Sequence, residues 1–85
     1  MIRWTIYSRP NCELCEVLQA EFAGLLERLA GPAALTAVEV VDIEGHPELE
    51  RRYGQRVPVL LADGEFVCAW RLDEARVRRV LESPG

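Results

Sequence analysis

The hydrophobic period of the chain changes once near its start, from two residues to between three and four, and the change falls at Pro10-Asn11-Cys12. Before it, Ile2, Trp4 and Ile6 alternate with Arg3, Thr5 and Tyr7, which assigns the two sets to opposite faces of a strand. After it, over residues 12–30, Leu14, Leu18, Phe22, Leu25 and Leu29 recur at helical steps, Val17 and Leu26 widen the stripe, and Gly31-Pro32 stops the helix. A strand that runs straight into a long helix with one apolar face needs a sheet under that face. Residues 35–43, with Val38, Val40, Val41 and Ile43, read as a second, buried strand, parallel to the first because a helical crossover joins them.

The remainder continues the pattern. Residues 47–53 form a short helix with Pro47 in its first turn and Gly54 as its stop, and Glu48, Glu50, Arg51 and Arg52 make its solvated side. Two apolar runs, Val57-Pro58-Val59-Leu60-Leu61 and Phe66-Val67-Cys68-Ala69-Trp70, flank Asp63-Gly64, the signal of a β-hairpin. A last helix opens on Asp73 as N-cap and carries Ala75, Val77, Val80 and Leu81 on its apolar side, with Ser83-Pro84-Gly85 as a frayed end. The order is βαβ followed by ββα, and at 85 residues it makes one domain over residues 1–85.

Composition narrows the partners. Apolar residues at 49% and charged residues at 28% are those of a globular chain, and a net charge of −4 disfavours a nucleic-acid backbone or an anionic membrane as partner. The first residues alternate like a strand and lack the apolar run of a signal peptide, and no run reaches the ~20 residues that cross a bilayer. Three cysteines do not make a disulfide scaffold, so the expectation is a cytoplasmic monomer in which a close pair works in redox chemistry or binds metal.

That pair is Cys12 and Cys15. Residues three apart on a helix share a face, which brings their Cα atoms into the range of about 4.4–6.8 Å that a disulfide bridges. Cys12 falls at the helix start, where unpaired N–H groups and the helix dipole favour an anion and lower a thiol pKa from ~8.5 to roughly 3.5–7.5. Cys12 is therefore the expected nucleophile, and Cys15, one turn in and on the apolar side, the resolving thiol. The alternative is a binding or metal-carrying module. Zinc needs two further ligands, with only Cys68 and His46 left to supply them, and an iron–sulfur cluster would be shared by two chains each offering Cys12.

Other residues read more plainly. Strand alternation sets Cys68 with Phe66 and Trp70 on one face, as packing. His46 is a turn residue before Pro47, and Trp4 and Trp70 are core or sheet-face aromatics, Trp70 bordering the site. Glu13 suits the helix dipole but repels a thiolate about 7 Å away by roughly 0.6 kcal/mol, an effect that Arg9 offsets.

The chain resembles the small glutaredoxin-like proteins of the thioredoxin-fold superfamily over nearly its whole length. The resemblance is carried by Tyr7-Ser8-Arg9-Pro10-Asn11-Cys12-Glu13-Leu14-Cys15, by Tyr53-Gly54-Gln55-Arg56-Val57-Pro58-Val59-Leu60, and by the helix after Trp70-Arg71-Leu72-Asp73. It implies an α/β fold in which a four-stranded mixed sheet has helices on both faces, and a cis peptide before Pro58, facing the cysteines. It further implies that Arg9 meets a glutathione carboxylate and that the Val57 backbone N–H and C=O receive an extended substrate. Relatives with a formed glutathione site have Pro-Tyr or Pro-Phe between the cysteines and Gly-Gly after the last strand, where this chain has Glu13-Leu14 and Trp70-Arg71. The expectation is a dithiol oxidoreductase with no tightly bound cofactor beyond its redox-active disulfide, and with weak glutathione binding. Its substrate is a disulfide-bearing protein or small molecule, and a thioredoxin or glutathione system recycles it.

Overall fold

In the computed structural model, which describes residues 1–82, the chain runs β1 (Trp4–Ser8), α1 (Glu13–Ala30), a 3-10 turn (Pro32–Ala37), β2 (Val38–Asp42), α2 (Pro47–Tyr53), β3 (Val59–Ala62), β4 (Glu65–Ala69) and α3 (Glu74–Glu82). Ser83, Pro84 and Gly85, expected to fray, lie outside the described residues. The strands make one sheet in the order β2-β1-β3-β4, with β1 parallel to β2, and β3 antiparallel to both β1 and β4. A parallel pair cannot be joined by a tight turn, and α1 supplies the crossover. No helix among the described residues is long and apolar enough to cross a membrane.

One face of the sheet carries the core. Trp4 and Ile6 of β1 meet Leu18, Phe22, Leu25 and Leu26 of α1, with Leu60, Val67, Cys68 and Val77 completing the cluster. The Trp4 and Phe22 rings meet edge to face at 4.9 Å. On the other face Tyr53 of α2 stacks on Tyr7 at 4.6 Å between centroids, so helices cover both sides of the sheet. Asp63 and Gly64 both have positive φ, 49° and 83°, the backbone of a two-residue hairpin turn. The Asp63 carboxylate accepts the Arg3 N–H at 2.9 Å, and the Arg3 carbonyl accepts the Asp63 N–H at 2.7 Å, which tie the hairpin tip to the start of β1. At α3, Asp73 Oδ1 accepts the Arg76 N–H at 3.1 Å, the expected cap.

Five expectations need correction. Leu14, Val17 and Leu29 lie outside the buried stripe of α1, which is Cys15, Leu18, Phe22, Leu25 and Leu26. At ~3.6 residues per turn Val17 points well away from the buried face, whereas Leu14 keeps the four-residue step to Leu18 and Phe22 but sits in the first turn of α1. Leu29 sits in the last turn of an 18-residue helix that outruns the five-residue β1 beneath it. Residues 35–37 belong to the 3-10 turn begun by Pro32, not to a strand. Nor is β2 buried: it is an outer strand, and Val40, in register with Ile6, lies at the sheet margin half exposed. In β4 the register slips, pairing Leu60 with Cys68 but Leu61 with Phe66, so an extra residue breaks the alternation. Cys68 turns into the core while Phe66 is exposed, and the two do not share a face. Trp70, expected in the core or on the sheet, stands half exposed beyond the end of β4.

Candidate active site at one end of the sheet

Residues 9–11 lead from β1 to α1. Asn11 has φ 58°, a left-handed conformation that Asn tolerates better than most side chains, and it reverses the chain so that Cys12 becomes the N-cap of α1. The Cys12 Sγ accepts the Cys15 N–H at 3.2 Å, the bond that a Ser or Asp oxygen makes at other helix starts. A thiolate accepts that bond more strongly than a thiol, so the capping position favours the reactive form of the group that occupies it. Cys12 and Cys15 stand in disulfide geometry with Cα atoms 5.2 Å apart. Their surroundings differ: Cys15 is 1% exposed under the helix, whereas Cys12 is half-buried and reachable. Glu13 and Glu16, both exposed, complement the dipole in the first turn.

The loop is held by residues that the sequence did not single out. Ser8, buried at the end of β1, accepts a hydrogen bond from Gln19 Nε2 at 3.3 Å, which joins β1 to the second turn of α1 below the cysteines. An isolated Ser and Gln eleven apart carry no pattern that marks them in a sequence.

Arg9 is engaged with α2. Its Nη1 lies 3.2 Å from Glu50 Oε1, and its Nη2 donates to the Gly54 carbonyl at 3.3 Å, where the C-terminus of α2 favours a cation. A substrate carboxylate approaching Arg9 would have to displace Glu50. Gly54 makes this approach possible, because a Cβ there would overlap the Glu50 carbonyl oxygen and lie 2.8 Å from Arg9 Nη2. Gly54→Ala is therefore expected to lower stability by about 1–3 kcal/mol, measured as a lower urea midpoint at constant slope. An unaltered midpoint would contradict this packing.

Beyond Gly54 the chain passes through Gln55 and Arg56 to Val57 and Pro58, and the Val57–Pro58 peptide bond is cis. Tyr7 pairs with Val59, so the same register sets Pro58 beside Ser8, at the sheet end from which the Cys12 loop leaves. The Val57 N–H is not free for a substrate, as it donates to the Tyr53 carbonyl at 3.1 Å. This corrects the expected role of that N–H: the last turn of α2 continues into the segment and consumes the donor. The Val57 carbonyl accepts no hydrogen bond among the described residues. Trp70 closes the same end, its N–H donating to the Pro58 carbonyl at 2.8 Å and its Nε1–H to the Gln55 carbonyl at 3.2 Å.

Cys68 takes no part in the site. Burial pushes its thiol above the usual 9.0; the Asp73 backbone then lowers it, the Asp73 carboxylate raises it and Arg76 lowers it in smaller measure. His46 caps α2 with its backbone alone, accepting the Glu50 N–H. Among the described residues no three His, Cys, Asp or Glu side chains gather as metal ligands.

A parallel strand pair bridged by α1, a hairpin beside it and a Cys-x-x-Cys heading α1 at the Pro58 end of the sheet define a thioredoxin-fold domain with a dithiol motif. Thioredoxin 1 of Thermosipho africanus has the same fold, with a TM-score of 0.59 over 94% of each chain at 13% identity. The chain belongs to the glutaredoxin-like domain family (DUF836), whose model matches residues 3–82. Protein Ne2328 of Nitrosomonas europaea is similar at 30% identity and a TM-score of 0.76, covering 92% of this chain and 88% of that one. An uncharacterised protein of Mycobacterium tuberculosis is 32% identical over 73 residues, 86% of this chain and 75% of its own.

Proposed function

We propose that this protein is a dithiol thiol–disulfide oxidoreductase. The observation that carries the reading is the asymmetry of the pair: Cys12 caps α1 and is reachable, while Cys15 is buried within bonding reach of it. The Cys12 thiolate attacks one sulfur of a substrate disulfide, so that a Cys12–substrate bond forms, the substrate S–S bond breaks, and the departing thiolate takes a proton from solvent. Cys15 then gives up its proton and attacks the Cys12 sulfur, closing the Cys12–Cys15 bond and releasing the second substrate thiolate. The substrate gains two electrons and the protein is left oxidised. Its substrate is a disulfide-bearing protein or small molecule in a reducing compartment such as the cytoplasm, and an external dithiol or thiol system returns the pair to its reduced form.

Glutathione fits this site weakly. Arg9 is neutralised by Glu50, the Val57 N–H is spent on Tyr53, and the Trp70 side chain stands where a small residue would let backbone approach. Losing hydrogen bonds to one charged end of such a ligand costs about 1.5–3 kcal/mol, or roughly ten- to a hundredfold in affinity.

The test is equilibration in graded glutathione redox buffers followed by thiol alkylation and mass analysis. The expected result is one reversible transition in which Cys12 and Cys15 change together, with the slope of a two-electron couple, about 30 mV per tenfold change in ratio. Absence of an intramolecular disulfide at every poise, with metal retained instead, would leave the metal-carrying module as the correct reading.

A further inference from the structure

We infer that Trp70 is a specificity-determining residue, an apolar wall that favours polypeptide disulfides with an aliphatic or aromatic residue next to the reacting cysteine, a role that rests on the oxidoreductase chemistry proposed above. Trp70 has φ 69°, a backbone conformation that bulky L side chains rarely adopt. Two hydrogen bonds hold it there, from its N–H to the Pro58 carbonyl and from its Nε1–H to the Gln55 carbonyl. Trp70 nevertheless stays 53% exposed, while the chain's other tryptophan, Trp4, is 2% exposed in the core. A residue kept in an unfavourable backbone conformation and not buried in return is a residue placed for something outside the molecule.

Its chemistry says what that is. Indole has one polar atom, a donor, and the Gln55 carbonyl already accepts from it. The surface left open is therefore apolar ring, which offers an incoming group contact area and no hydrogen bond. The ladder that pairs Val59 with Ala69 continues through the Pro58–Trp70 bond, and Pro58 lies beside Ser8, four residues before Cys12. Trp70 thus flanks the sheet end that carries the nucleophile. Leu14, two residues from Cys12 and half exposed, adds a second apolar surface, and the unpaired Val57 carbonyl can accept a backbone N–H from an extended chain. Together these favour a peptide with an apolar neighbour to its cysteine over a small charged disulfide.

The experiment compares kcat/KM on two peptide disulfides identical except for Leu or Gly beside the reacting cysteine, using wild-type protein, Trp70→Gly and Trp70→Phe. Wild type is expected to prefer the Leu peptide by about tenfold, mainly through KM. Trp70→Gly is expected to bring the ratio near one, and Trp70→Phe, which keeps a ring but loses the bond to Gln55, to restore most of it. Turnover of both peptides by wild type without preference, a Trp70→Gly ratio equal to wild type, or an equal collapse in Trp70→Phe would overturn the wall and leave the oxidoreductase reading standing. No turnover of either peptide by wild type overturns both.

Discussion

Cys12→Ser is expected to lose at least about three orders of magnitude in disulfide reduction, because it removes the atom that forms the covalent intermediate. Cys15→Ser is expected to fail differently. It retains the half-buried cap sulfur that attacks, so it proceeds to the mixed disulfide and stops there, since no thiol remains one turn below to release it. Intact-mass measurement after one equivalent of peptide disulfide distinguishes the two: Cys15→Ser gains the mass of one substrate half on Cys12, and Cys12→Ser gains none. Full turnover by Cys12→Ser, or an adduct mapped to Cys68, would reverse the assigned roles.

Phe22→Ala is expected to have the largest effect on stability, about 3–5 kcal/mol. Phe22 is wholly buried and meets the Trp4 ring edge to face at 4.9 Å, at the point where α1 lies across β1. Trp4 from the sheet and Leu18, Leu25 and Leu26 from the helix surround the space that would be left. For a domain of this size each kcal/mol moves the melting temperature by about 4–8 °C, so a fall of more than ~12 °C is expected in a thermal melt. A fall of only a few degrees would mean that the α1–β1 interface is not the centre of the core.

What could be read from the sequence was what depends on neighbours along the chain. The β1 alternation, the turn at Pro10-Asn11, Cys12 at the head of α1, Pro47 at the start of α2 and the Asp63-Gly64 turn are each written within a few residues. The parallel β1–β2 pair, the β3–β4 hairpin and the Cys12–Cys15 pair follow from these local signals together with the resemblance. What escaped depends on residues far apart. The slip at Leu60 and Leu61 cannot be seen within β4, whose residues 66–69 are all apolar, and it separates Cys68 in the core from Phe66 in solvent. Arg9 finds Glu50 and Gly54 across more than forty residues, and the bond from Ser8 to Gln19 spans the turn. The Val57 N–H is lost to an extra turn of α2 that Gly54 permits by staying helical, with φ −51° and ψ −34°. Trp70 at positive φ departs from local preference, since sequence alone assigns that conformation to Gly or Asn.

Competitive alkylation of the fully reduced protein distinguishes Cys12 as the reactive thiol from Cys15 as its shielded partner. A limiting amount of iodoacetamide is added near neutral pH, and peptide mapping assigns the first modified cysteine. Cys12 is expected to react at least about tenfold faster than Cys15 and faster still than Cys68, which burial keeps protonated. Modification of Cys15 first, or equal rates at Cys12 and Cys15, would contradict it.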